Sequence, residues 1–291
     1  MGVKNIGTVG SRGVVFTFED DISVYLICAD EYWFLCDTHL GPLSMDYIKK
    51  YLAGRAGNKR MIVFNSHSDW DHVWGNCAFA GDIIVGHELC RKRLSEIGGY
   101  ELSELKAFHQ GSVELVLPNV TFSDKMAFAA EQIEFIHAPG HTADSALCFD
   151  RKDAVLFIGD LVEYPIPYLD FADLARYINT LTYLKEFPAK TMVSAHSGIV
   201  SRELIEANIA YIKAVQAGKT VDPAVYGQCP QVHNFNINNQ LFLRYEQLIR
   251  DKLSSRFDYM AFRSSFGDLK EIDYTILYQN LQQYLAELPQ L

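Results

Sequence analysis

Long apolar runs are missing from this chain of 291 residues: none approaches the ~20 needed to cross a bilayer, and Met1-Gly2-Val3-Lys4 lacks the apolar stretch of a signal peptide. A cytoplasmic protein with no membrane partner is the expectation. Basic residues are also short, 26 Lys and Arg against 36 Asp and Glu, for a net charge of −10. That balance disfavours an extended nucleic-acid surface, because phosphate binding needs clustered Lys and Arg. The one basic cluster, Arg91-Lys92-Arg93, reads as the solvated face of a helix. Paired Cys-x-x-Cys spacings are absent, and several of the six cysteines fall in apolar strand-like runs, so reduced, buried thiols are expected. Neither internal repeats nor low-complexity tracts occur.

What remains is a composition able to bury a large core, with 49% hydrophobic residues. Strand-like runs at Gly13–Phe18, Ser23–Cys28, Trp33–Cys36 and Met126–His137 alternate with helical patterns at Leu43–Ala53, His87–Ile97 and Phe171–Phe187. In the last, Leu174, Ile178 and Leu181 share a face. Two sheets in a sandwich with helices outside fit this α+β mixture. Ser201 is the expected cap of a further helix, and Gly218 its stop. We therefore divide the chain into a main domain, residues 1–218, and a helical extension, residues 219–291. Helices at Asn238–Leu253 and Asp273–Leu288 carry apolar stripes at Leu241, Tyr245 and Leu248 and at Leu277, Leu281 and Leu285. This extension is expected to cover the site's mouth, to mediate a homodimer, or to close the core, and its removal to leave the ligand set intact.

The densest chemistry lies in Ser66-His67-Ser68-Asp69-Trp70-Asp71-His72, directly after the strand-like Met61-Ile62-Val63-Phe64. Four groups able to bind metal within six residues at a strand's end would repel or need desolvation without a cation. Three further loops after strand-like runs deliver His141, Asp160 and His196. In the first, Pro139 and Gly140 force the turn that presents His141. Seven candidate ligands suffice for two adjacent divalent metals if one carboxylate bridges.

The order of these elements resembles the metallo-β-lactamase superfamily, whose His-x-His-x-Asp-His motif is followed by Gly-His, Gly-Asp and a last His; the likeness spans about residues 7 to 217. It implies an αββα four-layer sandwich. It also implies one metal held by His67, Asp69 and His141, a second by Asp71, His72 and His196, and a bridge at Asp160. Asp37, ending the strand-like Tyr32-Trp33-Phe34-Leu35-Cys36, falls where the family carries a structural aspartate.

One position departs from the motif: the second His is Asp69. Carboxylate oxygen is harder than imidazole nitrogen, so the first site shifts toward iron or manganese relative to zinc. The added anion also weakens the Lewis acidity available to a water. A carboxylate here is similar to the flavodiiron branch, which reduces oxygen or nitric oxide at two irons, though residues 219–291 have the wrong pattern for that branch's flavodoxin-like domain. The expected function is hydrolysis of a small ester, thioester, lactone, amide or phosphoester, with Asp71 and Asp160 as catalytic residues. A di-iron redox protein and a non-catalytic metal-binding protein are the alternatives. Trp70 is a candidate for the pocket entrance, and Glu163-Tyr164-Pro165-Ile166-Pro167-Tyr168 for its wall, with Glu163, Tyr164 and Tyr168 as substrate contacts. His39, His87, His109, His137 and His233 read as hydrogen-bonded structural residues.

Overall fold

A computed structural model describes residues 2–55, 59–219 and 229–264. Among these residues thirteen strands form two sheets. The first pairs, in spatial order, β1 (Val3–Val9), β2 (Gly13–Phe18), β3 (Ser23–Cys28), β4 (Tyr32–Cys36), β5 (Arg60–Asn65), β6 (Ile83–His87) and β7 (Val120–Phe122). The second runs from β13 (Gly198–Val200) through β12 (Thr191–Ser194), β11 (Val155–Phe157), β10 (Ala146–Asp150) and β9 (Ile133–His137) to β8 (Lys125–Phe128). The expected strand Met126–His137 is thus a hairpin, β8 and β9, whose turn carries Gln132 at φ 58°.

The central strands of each sheet are buried on both faces, which is why they read as continuous apolar runs rather than as clean alternations. On β3, Tyr25 and Ile27 point between the sheets, while Val24 and Leu26 point outward to Met45, Ile48 and Leu52 of α1 (Pro42–Ala53). On β10, Ala146 and Cys148 face inward, and Leu147 and Phe149 meet α4 (Leu174–Glu186) and α5 (Arg202–Gln216) outside. Phe64 stacks on Phe135 across the inter-sheet layer at 4.2 Å between centroids. The architecture is therefore αββα, as the resemblance implies.

Strands β4 to β7 pair in parallel, as do β11 and β12. A parallel pair needs a crossover, and its ligand-binding loops lie beyond the strands' carboxyl ends. Asp37, Ser66–His72, Asp160 and His196 all follow such ends. Backbone hydrogen bonds from Ala146 N to Ser66 O (2.7 Å) and from Ala195 N to Gly159 O (3.0 Å) fasten these loops together.

The remaining helices are α2 (Trp70–Val73), α3 (Glu88–Glu104), α6 (Pro230–Leu253) and α7 (Tyr259–Ser264). Ser201 caps α5 by accepting from Leu204 N, and Gly218 follows at φ 62°, in the left-handed region that stops a helix. On α6 the apolar stripe of Leu241 and Leu248 faces outward; the buried face is Asn236, Gln240, Phe242, Glu246 and Ile249. The reason is local: the backbone of residues 167–171 has no ladder partner, and Asn236 and Gln240 satisfy it from α6. One expectation is corrected here: Arg91 and Lys92 are exposed, but Arg93 is half-buried, because α3 is covered by α6 and α7. The expected helix at Asp273–Leu288, with Leu277, Leu281 and Leu285, lies outside the described residues. Among those described, no helix is long and apolar enough to cross a membrane.

Candidate metal centre

Each potential ligand is aimed by its local backbone. Asp69 occupies the position before α2, yet its carboxylate does not cap that helix; it turns instead toward His141 Nε2 at 3.2 Å and His67 Nε2 at 3.5 Å. Asp71, at the start of α2, approaches His196 Nε2 at 3.2 Å and His72 Nε2 at 3.5 Å. Two triads result, His67–Asp69–His141 and Asp71–His72–His196, each with donor atoms within 4.8 Å of one another. Asp160 Oδ2 lies between them, 3.1 Å from His72 Nε2, 3.2 Å from His196, 3.8 Å from His67 and 4.0 Å from His141. Gly159 makes that approach feasible. Its φ is 52°, and a side chain there would bring Cβ to 2.7 Å from Ser66 Oγ.

A ring of outer hydrogen bonds fixes the imidazoles. Asp37 Oδ2 lies 2.8 Å from His72 Nδ1 and accepts from Ser66 Oγ at 2.7 Å, while Oδ1 accepts from Ser66 N at 2.7 Å. Because its hydroxyl proton goes to Asp37, Ser66 Oγ is left to accept from His67 Nδ1 at 2.9 Å. His141 Nδ1 donates to Tyr168 O at 3.2 Å. A proton on Nδ1 leaves Nε2 with its lone pair free, the tautomer a metal requires. Asp37 itself sits at φ 63°, uncommon for a non-glycine residue and sustained here by three converging hydrogen bonds. The sequence placed Asp37 near the site; only its partners reveal that it orients two candidate ligands at once.

The electrostatics describe a site that requires positive charge. Burial alone would favour neutral acids, but His67 and His141 more than offset it and hold Asp69 well below the usual carboxylate range. His196 and His72 do the same for Asp160, and His72 and His196 for Asp71. In return, despite burial, Asp69 and Asp160 hold His141 up at about 10, and Asp160 and Asp71 lift His72 and His196. Not every group is satisfied by these contacts. His67 Nε2 and Asp160 Oδ1 are buried with no hydrogen-bond partner. Orphaned donors of ligand type, between two nitrogen–oxygen triads, fit a pair of divalent cations.

The site is closed beneath and open above: the His67 and His72 side chains are 2% and 0% exposed, those of Asp69 and His196 20% and 27%. Trp70, next to Asp69, is half-buried, 5.0 Å from Trp74 and 5.1 Å from Phe108 between ring centroids. Tyr164 and Tyr168 are exposed. Glu163 is not: its Oε1 accepts from Tyr168 N at 3.1 Å, and burial, followed by Asp160, pushes its carboxyl up to about 7. It braces the loop whose Tyr168 carbonyl orients His141.

Four of the histidines read as structural are hydrogen-bonded: His39 to Ser44 and Asp20, His87 to Ser123 O, His137 to Ala143 O and His233 to Tyr211. His109 differs from its expected role. Its Nε2 is buried without a partner, and the ring packs edge-on against Trp74 at 4.5 Å.

Comparison with known proteins identifies the family and the fold. A hydroxyacylglutathione hydrolase of Thermosynechococcus vestitus is 26% identical over 168 residues, covering 57% of this chain and 58% of the relative. The chain spans a little over half the length of the curated relatives it matches. The solved metallo-beta-lactamase from Pontibacter korlensis superposes with a TM-score of 0.58 at 18% identity, covering 72% of this chain and 98% of that one. The metallo-beta-lactamase from Hirschia baltica gives 0.57 at 15%, with 73% and 98% covered. These structural likenesses establish the fold. The model of the metallo-beta-lactamase superfamily matches residues 17–196, from β2 to the last of the seven candidate ligands, and the chain belongs to that superfamily.

Proposed function

We propose that the protein is a dinuclear metal-dependent hydrolase acting on a small-molecule substrate. The observation that carries this reading is the position of Asp160 Oδ2, within 4.0 Å of an Nε2 from both triads, where one carboxylate can serve two cations. Two bound divalent cations would supply Lewis-acid polarisation of the scissile group and a lowered pKa for the attacking water. The chain's own part is to arrange the rest. Asp71 is ionised and faces the opening, so it accepts a hydrogen bond from the attacking water and orients it; with its carboxyl held low it is a weak proton acceptor. Asp37, through His72 and Ser66, keeps the Nε2 lone pairs directed inward while bonds rearrange. The loop from Tyr164 to Tyr168 shapes the mouth, where Trp70 offers an apolar wall.

The relative named as a hydroxyacylglutathione hydrolase puts hydroxyacylglutathione first in a substrate screen, followed by lactones, aryl esters, amides and phosphodiesters. The test is elemental analysis of zinc-, iron- and manganese-saturated protein together with that screen, with Asp160→Asn as the control. Two equivalents of metal, turnover abolished by chelation and restored by metal, and a large loss in the variant are expected. Less than one equivalent after saturation would refute the dinuclear reading. A second reading draws on Asp69, whose carboxylate adds a hard ligand to the first triad and favours iron: a di-iron protein reducing oxygen or nitric oxide. Oxygen consumption with a reductant, alongside silence across the hydrolysis screen, would select it.

A further inference from the structure

Asp20, His39 and Ser44, none of them a candidate ligand, form a polar relay of their own. His39 Nε2 lies 3.0 Å from Asp20 Oδ2, in the turn between β2 and β3, and Nδ1 lies 2.7 Å from Ser44 Oγ, in the first turn of α1. The ring stacks on Phe18 at 4.0 Å between centroids. Beside the acid, the neutral ring carries its proton on Nε2, so Nδ1 accepts from the Ser44 hydroxyl. The order Asp–His–Ser is that of an activated nucleophile, but Ser44 and His39 are 1% and 0% exposed, and no substrate reaches Oγ. The role of the relay lies in what it holds.

It holds the bracket Asp37-Thr38-His39. Two of the three have left-handed φ, 63° at Asp37 and 57° at His39, where non-glycine residues persist only if their surroundings over-determine them. At one end Asp37 Oδ2 lies 2.8 Å from His72 Nδ1; at the other the His39 ring is pinned by Asp20 and Ser44. Between them, His72 O accepts from Thr38 N at 2.7 Å and from Thr38 Oγ1 at 3.1 Å, and His39 O accepts from Gly75 N at 3.1 Å. The fit is tight, since a Cβ at Gly75 would stand 2.0 Å from Thr38 O. His72 is thus gripped by both its ring and its carbonyl. Of the first triad, His67 reaches the bracket only through Ser66, and among the described residues neither Asp69 nor His141 hydrogen-bonds to it.

We propose that His39, fixed by Asp20 and Ser44, is a positioning residue for the second triad: it locks the bracket that aims His72. The inference rests on the dinuclear reading and deepens it, and its test needs no turnover. Cobalt(II) titration of metal-free full-length protein, followed by visible ligand-field absorption, reads the stepwise affinities, with Asp71→Asn marking the step that belongs to the second triad. The variants are His39→Asn, which suits the left-handed backbone but cannot reach Asp20, Asp20→Asn, and the remote core control Ile205→Val.

His39→Asn and Asp20→Asn should each weaken the second-triad step about fivefold or more and shift its absorption band, a smaller loss than the about 10–100-fold typical when a ligand's direct partner goes. The other step should stay within twofold. Ile205→Val should lower the melting temperature and move neither step. A second-triad step unchanged in either folded variant overturns the proposal, as does equal weakening of both steps, which would mark a general loosening. If His39→Asn does not fold, Asp20→Asn decides by the same criterion. A single step in wild type would sink the dinuclear reading; the inference then survives only if that step is lost in Asp71→Asn and weakened in His39→Asn. Silence in every hydrolysis assay beside the expected shifts would sink the hydrolase reading and leave this one standing.

Discussion

Replacing Asp37 by Asn isolates the outer hydrogen bonds from the ligands themselves. Asparagine tolerates the left-handed φ of 63° found there, so the backbone is not the variable. The carboxylate accepts three donors: Ser66 N at Oδ1, and Ser66 Oγ and His72 Nδ1 at Oδ2. An amide has one oxygen, so whichever way it turns at least one N–H faces a donor. With Asp37 1% exposed, losing one such charge-assisted bond costs roughly 1.5–3 kcal/mol. The larger consequence is for metal. Without the anion behind Nδ1, His72 is a poorer ligand, and the Ser66–His67 link loses its fixed direction. Loss of an outer-shell partner typically lowers metal affinity about 10–100-fold, or about 1.4–2.7 kcal/mol. Zinc competition against a chromophoric chelator measures it, with thermal melts of the metal-free and loaded proteins alongside. An affinity within threefold of wild type and an unchanged melting temperature would refute this role for Asp37.

Asp69→His should raise the preference of the first site for zinc over manganese, read by competition titration of the two metals; no gain would mean that Asp69 does not contact metal. Metal-free protein should lose stability as pH rises. Its histidines have raised pKa values, His141 at about 10, so they stabilise fully below the unfolded value near 6.5 and progressively less as pH climbs through 10. Metal affinity should move oppositely between pH 6 and 9, because binding must displace those protons; a chelated protein whose melting temperature rises over that range would contradict the assignment. Asn236→Ala should cost about 1–3 kcal/mol in denaturant unfolding, since it strands Leu169 N and Pro167 O in a buried position. The same change should also lower metal affinity several-fold. The loop it releases carries the Tyr168 carbonyl that orients His141, so unchanged metal binding would show that α6 does not support the centre.

The candidate ligands were legible in the sequence because the position of each depends on short-range chemistry. An apolar strand ends, a turn follows, and the side chain just beyond must lie at the sheet's rim; that holds for His67 after β5, for His141 after Pro139-Gly140 and for Asp160 after Gly159. Strand β2 and helix α1 could be read for a similar reason, their periodicity being imposed by faces that local pattern records. Partners distant along the chain left no local signal; the grouping of Asp69 with His141 came from the family resemblance alone. No local signal says that Asp69 meets His141, 72 residues away, or that Asp37 carries both Ser66 and His72. Nor does hydrophobic pattern identify the buried face of α6. There the deciding quantity is the unsatisfied backbone of residues 167–171, which draws Asn236 and Gln240 inward and turns Leu241 and Leu248 to solvent. Arg93 follows the same rule: within Arg91-Lys92-Arg93 it looks like any surface cation, and only the packing of α6 and α7 over α3 leaves it half-buried. The sequence determined which groups stand at the sheet's rim, because that is a property of neighbouring residues. The tertiary structure alone decided which of them are buried together, because desolvation and hydrogen-bond completion depend on everything else that packs around them.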